Sequence, residues 1–243
     1  MLIGGFQKFS LLDYPGQLAA IVFTQGCNFR CPYCHNPGLV NPKNYTRIIP
    51  TSEILAFLDS RRGKLGAVCI TGGEPTLHQD LPWFVAELRE MGFLIKVDTN
   101  GSNPGMISEL SSKDMVDYWA MDLKAPLHLY PVVSRSDVPV DAIMHSMDIL
   151  RSSGVEYEFR TTFFEALFNW DDLLLIREVL KPGDRYYLQQ CRYTDTLEDL
   201  RNPTEFSMPL QDNQAVSLME HPTCQSLIQW GGAHNIMINV RSL

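Results

Sequence analysis

Near-continuous apolar runs alternate along this chain with stretches whose apolar residues recur every three to four positions, and the two periods predict strands and helices in turn. Residues 18–24, LAAIVFT, read as a strand covered on both faces. GAVCITGG reads as a second strand ending in glycines, and FLIKVDTNG as a third with its turn. MVDYWAMDLK, VEYEFRTTF and DRYYLQQ follow as the fourth to sixth, and NIMINVR is a candidate seventh. Between them, Thr51-Ser52-Glu53 opens a helix to about Arg61 with cap-type residues. A helix over about 80–91 carries Leu81, Phe84, Val85 and Leu88 at helical spacing and stops at Gly92. Further helices are expected at about 139–152, 170–180 and 212–230.

Strand and helix repeating at such intervals call for parallel strands with right-handed crossovers, hence an α/β fold built as a parallel β/α barrel, complete or partial. A single domain over 1–243 is expected, with a core at about 18–192 and a helix-and-strand extension at about 211–241. The segment from Tyr193 to Asp212, of mixed charge, reads as a long connection. The chemically unusual residues fall at or just past the C-terminal ends of the expected strands: the cysteines of the first loop, Gly72-Gly73-Glu74, Asp98, Asp122, Lys124, Arg160 and Gln189-Gln190. In parallel α/β folds that edge carries the active site.

Composition narrows the function classes. The 243 residues are 45% hydrophobic, enough for a substantial core, and 20 basic against 28 acidic residues give a net charge of -8. That balance argues against a nucleic-acid groove and against an anionic membrane surface. No run of 18 apolar residues occurs and the N-terminus shows no charged, apolar leader, so a cytoplasmic protein is expected, in keeping with free, clustered cysteines.

Those cysteines are the strongest chemical signal. Cys27, Cys31 and Cys34 stand as C-x3-C-x2-C within GCNFRCPYCHNP, an odd number of thiols crowded into eight residues. A structural zinc site wants four ligands, usually as two separated pairs, and the chain has no second C-x2-C; His35 is adjacent to Cys34 and poorly placed as a fourth. Soft thiolates suit zinc, copper(I) or an iron-sulfur cluster. In a 4Fe-4S cluster three cysteines leave one iron open for a substrate. A non-enzymatic module using metal for structure or sensing is the competing class.

The cysteine spacing, with Tyr33 before the last cysteine, resembles the signature of the radical S-adenosylmethionine (SAM) enzymes. The segments GGFQKFSLLDYPG, FTQGCNFRCPYCHNPGLV, TGGEPTL, DTNG and MDLKAP resemble the activating enzymes of glycyl radical enzymes, and among them those that act on anaerobic ribonucleoside-triphosphate reductase. The resemblance implies an open barrel of about six β/α units, a 4Fe-4S cluster, SAM, and a glycyl radical enzyme as partner. Reductive cleavage of SAM at the cluster would generate the glycyl radical. A small molecule, another peptide or a pyruvate formate-lyase is the alternative substrate. With no second cysteine cluster in the sequence, the electron would come from another protein such as flavodoxin or ferredoxin.

Site roles follow from motif and chemistry together. Gly72 and Gly73 lack Cβ atoms, so the backbone can approach a ligand, and Glu74 adds a carboxylate for the ammonium of SAM. Asp98 and Asp122 close successive strands, and the resemblance implies that they ligate a monovalent cation beside the SAM carboxylate, with Thr99 and Ala120 as carbonyl donors. Lys124 and Arg160 would balance that carboxylate, and Gln189 resembles a segment near the ribose. Tyr33 and His35 belong to the cofactor loop. Cys69 reads as a core residue and Cys224 as without a role, whereas Cys191 lies at the active edge. Leu167, Phe168 and Trp170 read as core or as a partner groove.

Overall fold

A computed structural model describes residues 1–191, 196–198 and 218–241. Its strands are β1 (Ile3–Ser10), β2 (Ala19–Thr24), β3 (Ala67–Gly72), β4 (Leu94–Thr99), β5 (Tyr118–Asp122), β6 (Glu156–Phe163), β7 (Arg185–Gln190) and β8 (Met237–Arg241). The helices are α1 (Pro37–Val40), α2 (Thr51–Asp59), α3 (Leu81–Glu90), α4 (Pro104–Ser112), α5 (Tyr130–Ser134), α6 (Val140–Ser152), α7 (Trp170–Leu174) and α8 (Pro222–Ala233). The chain forms two compact units. One comprises 1–28, 36–121 and 141–157, the other 29–35, 122–140 and 158–243.

In the first unit the strands lie in chain order, β1 antiparallel to β2 and β2 to β5 parallel. The β2–β3 register runs from Ala19 opposite Ala67 to Thr24 opposite Gly72, and Thr99 of β4 lies opposite Met121 of β5. The cysteine loop, the Gly72-Gly73-Glu74 turn and the Asp98-Thr99-Asn100-Gly101 turn therefore leave the sheet at one edge. Both faces are covered, which explains the unbroken apolar runs. Ala20, Val22, Val68, Ile70, Ile95, Val97 and Trp119 are fully buried on one face. Opposite-parity residues Ala19, Ile21, Ala67, Cys69 and Tyr118 cluster with Tyr14 on the other, which settles Cys69 as a core residue.

The helices of this unit bury the stripes their spacing dictates. Leu81, Phe84, Val85 and Leu88 of α3 are fully buried, as are Ile143, Ser146, Met147 and Leu150 of α6. Strand β1 and helices α1 and α4 were not read from the sequence. Strand β1 is half-exposed and opens on Gly4-Gly5, which weakens a strand signal. Helix α4 has Asn103 as N-cap, its side chain accepting from Met106 N at 3.3 Å, with Pro104 at the first helical position. The expected caps of α2 are corrected too: Pro50 is the N-cap and Thr51 already lies inside the helix.

In the second unit β6, β7 and β8 are parallel neighbours in chain order, so the candidate seventh strand is real. The helix expected over 170–180 ends at Leu174 and continues as a 3-10 turn over Leu175–Glu178; Asn169 and Asp172 form its capping box. Of the helix expected over 212–230, residues 212–217 lie outside the described residues and α8 runs to Ala233. A Cβ on Gly231 would meet Ile238 at 2.7 Å, so α8 lies directly on β8. Arg241 grips buried Glu158 through two nitrogens at 3.1 and 3.0 Å and lies 3.6 Å over the Tyr187 ring. Phe168 is buried against Phe163, and Cys224 is buried in α8. Of the connection over 193–212, all but 196–198 lies outside the described residues.

No helix among the described residues is long and apolar enough to cross a membrane. Truncating the α3 side chain at its most enclosed position should be costly: Phe84→Ala should lower the unfolding free energy by about 3–5 kcal/mol, read as a drop in the urea midpoint at unchanged m-value.

Candidate active site

The loop after β2 is built against the turn after β3. Gly73 N donates to Thr24 O and Glu74 N to Gly26 O, each at 2.8 Å, while Gly26 N donates to Leu39 O at 2.8 Å. A Cβ on Gly73 would lie 2.1 Å from the Gly26 carbonyl oxygen, and one on Gly72 would lie 2.7 Å from Thr24 backbone atoms. Gly72 also has φ +105°, where side chains are strained. The sequence suggested that these glycines open the backbone to a ligand. The space their Cβ atoms would take is occupied by the cysteine loop itself, so they set how closely the two loops pack.

Glu74 is buried at 1% exposure. Its Oε1 accepts from Thr76 N at 3.0 Å, Thr76 Oγ1 at 2.6 Å and Thr99 Oγ1 at 2.8 Å, and its Oε2 accepts from Asn100 N at 2.6 Å. Burial raises its pKa, and these hydrogen bonds pull the other way. The carboxylate thus ties the β3 turn to the β4 turn. Asn103 reinforces the tie by donating from Nδ2 to Thr76 O at 2.6 Å.

Asp98, on β4, faces its neighbour two residues back: Lys96 Nζ lies 2.8 Å from Asp98 Oδ1, and Lys96 is buried. Thr99 points its hydroxyl to Glu74, and Ala120 is fully buried opposite Asp98. Cys27 is half-buried, with Asn100 Nδ2 3.8 Å from its sulfur. Sequence reasoning assigned no role to Lys96 or Asn100. The signals were there: a lysine in an otherwise apolar strand, and a buried amide inside the DTNG motif itself.

In the second unit, Cys34 N donates to Cys31 O at 3.0 Å, closing the turn that carries both thiols. Cys31 is buried and Cys34 half-buried. Burial pushes the Cys31 thiol up to about 11, against the downward pull of Lys124. Tyr33, buried, hydrogen-bonds through its hydroxyl to Lys124 O at 3.4 Å, whereas His35 is exposed. Asp122 sits between two cations, with Lys124 Nζ 2.8 Å from Oδ2 and Arg160 Nε 2.8 Å from Oδ1. Burial, the largest single influence, lowers the Lys124 pKa, but Asp122, Tyr33 and Cys31 together raise it, and the net value lies well above the usual range. Arg160 is 13% exposed, so it turns inward instead of snorkelling to water. Gln189, half-buried, lies between Thr162 of β6 and Arg241 of β8. Cys191 is buried, its thiol pushed up to about 12 by burial.

Comparison with known proteins identifies the family. The sequence pattern of the Radical SAM superfamily matches residues 21–173. A Methanocaldococcus jannaschii protein named as a glycyl-radical enzyme activating enzyme is 34% identical over 203 residues, covering 82% of this chain and 83% of its own. The chain is a radical SAM enzyme of the glycyl-radical-activating family. The pyruvate formate-lyase-activating enzyme of Staphylococcus aureus is 27% identical over 88% of this chain and 78% of its own length. Streptococcus suis SuiB, in a structure with its precursor peptide SuiA, matches at TM-score 0.67 and 12% identity over 91% of this chain; the match spans 48% of the SuiB chain. An anSMEcpe structure with bound AdoMet matches at 0.61 and 13% identity over 90% of this chain and 61% of its own. These two likenesses concern the fold alone, the parallel β/α architecture of radical SAM enzymes.

The cofactors of this radical SAM enzyme are a 4Fe-4S cluster and SAM, and its residues fit both. Three soft thiols share one loop, and an amide lies at the sulfur of the first. Among the described residues no group of three His, Cys, Asp or Glu side chains is placed to hold a single ion. One carboxylate holds Lys124 and Arg160 side by side, and a paired lysine and arginine suit an anionic ligand group. A monovalent cation fits less well, because Asp98 already faces Lys96 and Asp122 faces Lys124 and Arg160.

The tight packing of the two loops gives a direct check. Gly73→Ala should destabilise the protein by about 1–3 kcal/mol and lower the iron bound per chain after anaerobic reconstitution, whereas Gly232→Ala, where a Cβ meets nothing within 4 Å, should leave the iron content unchanged.

Proposed function

We propose that this activating enzyme generates the glycyl radical of anaerobic ribonucleoside-triphosphate reductase, with its electron delivered by a separate protein such as flavodoxin or ferredoxin. Cys27, Cys31 and Cys34 would hold the cluster, with one iron available to SAM. Once bound, the cluster and SAM supply reductive S–C5′ cleavage and the 5′-deoxyadenosyl radical that takes a hydrogen atom from a glycine Cα. The observation that carries the site assignment is the Asp122 trio. Lys124 and Arg160 are fixed by one carboxylate, and Lys124 is tethered through its carbonyl to Tyr33 in the Cys31–Cys34 turn. These two cations would receive the SAM carboxylate. The Gly72-Gly73 turn would supply backbone groups to the SAM ammonium, and Glu74 holds that turn in shape from inside the protein. Gln189 would serve the ribose, and His35 would serve the cofactor loop.

The reductase is favoured over other partners by the segments GGFQKFSLLDYPG and FTQGCNFRCPYCHNPGLV. The likeness to a pyruvate formate-lyase-activating enzyme supports a formate lyase as the second reading. Mixing the reduced, reconstituted enzyme with SAM and the anaerobic reductase should give a glycyl radical doublet by electron spin resonance. Release of 5′-deoxyadenosine with no doublet would turn the assignment to pyruvate formate-lyase or another substrate, and Cys27→Ala should abolish both signals. Arg160→Ala should keep its cluster and weaken SAM binding by about ten- to a hundredfold, measured by equilibrium dialysis.

A further inference from the structure

Asn100 is buried at 5% exposure and its side chain makes contacts at both ends. Its Oδ1 accepts from the backbone N–H of Ser102 at 2.9 Å. A backbone amide can only donate, so this contact fixes which end of the side chain is oxygen and turns the NH2 group the other way. That NH2 has two hydrogens and meets two acceptors, Asn28 Oδ1 at 2.9 Å and Cys27 Sγ at 3.8 Å. The Asn28 amide is held in turn, its Nδ2 donating to Ser102 Oγ at 2.9 Å. The backbone of Asn100 is anchored separately, its N–H donating to Glu74 Oε2 at 2.6 Å. An amide constrained at this many points cannot turn away from the sulfur without breaking the turn.

We infer that Asn100 is a positioning residue for the cluster: its amide donates a hydrogen bond to the Cys27 thiolate and sets the reduction potential of the 4Fe-4S centre. Reduction places an extra electron on the cluster and raises the negative charge on its sulfurs. A donor aimed at a ligand sulfur therefore stabilises the reduced form more than the oxidised one and shifts the potential upward. The effect matters for an enzyme whose first step is uptake of an electron from another protein. The inference rests on the reading of Cys27 as a cluster ligand.

The test is a redox titration of the reconstituted enzyme without SAM, comparing wild type with Asn100→Asp and Asn100→Ala. The aspartate keeps the acceptor for Ser102 N–H and replaces the donor with an anion; the alanine removes both. Each variant should bind as much iron as wild type and show a more negative midpoint potential, with the larger shift in Asn100→Asp. The reduced-state spin resonance spectrum should change in the same variants. An unchanged potential in either cluster-bearing variant overturns the inference. So does failure of both to fold by circular dichroism, or to hold a cluster, since Asn100 would then be a structural residue. A wild-type chain that takes up no cluster, or a Cys27→Ala variant that keeps one, sinks the underlying reading of Cys27 instead.

Discussion

One buried carboxylate organises the first half of the site. Glu74 lies at the end of β3, cut off from water, and an anion there is tolerated only because backbone and hydroxyl donors from two turns converge on it. The donors come from Thr76 on its own turn and from Thr99 and Asn100 on the next, so each turn is held in a shape that it would not keep alone. Removing the carboxylate would leave those donors facing one another without an acceptor. From Asn100 the same network reaches Asn28 and the sulfur of Cys27, so the environment of that thiol depends on a glutamate one strand further along the sequence.

The second unit solves a different electrostatic problem. Asp122, Lys124 and Arg160 form a charge-alternating trio in which the carboxylate restrains both cations. A free lysine and arginine carry large rotamer freedom that a ligand would have to freeze; here the aspartate has already fixed them. The cost of ordering them is met within the protein, and two cations fixed in advance are what a carboxylate ligand needs.

Much of this was legible from the residues. The parallel strands announced themselves as unbroken apolar runs, α3 and α6 as apolar spacing, and the active edge as the place where cysteines, glycines and carboxylates follow strand ends. The cysteine spacing pointed to the radical SAM family that the comparisons show. What escaped notice had physical causes. Strand β1 is a half-exposed edge strand with paired glycines, so its alternation is weak. Motif chemistry does not reveal burial, so only the fold shows that the oxygens of Glu74 accept from two turns. Sequence position does not report that Lys96 meets Asp98, or that Lys124 and Arg160 meet Asp122. Asn100 sat inside a recognised motif, yet the aspartate beside it drew the functional reading.

Strand order in the first unit has a consequence for biogenesis. Strands β1 to β5 each pair with the neighbour just before them in the chain, and Cys27, Asn28, Gly73, Glu74, Asn100 and Asn103 all precede the end of α4. As the polypeptide leaves the ribosome from its N-terminus, the pocket around the first cysteine can therefore assemble from segments already synthesised, while the basic residues at Lys124 and Arg160 are still to be translated. Iron loading at that stage would meet a prearranged sulfur donor instead of a disordered thiol.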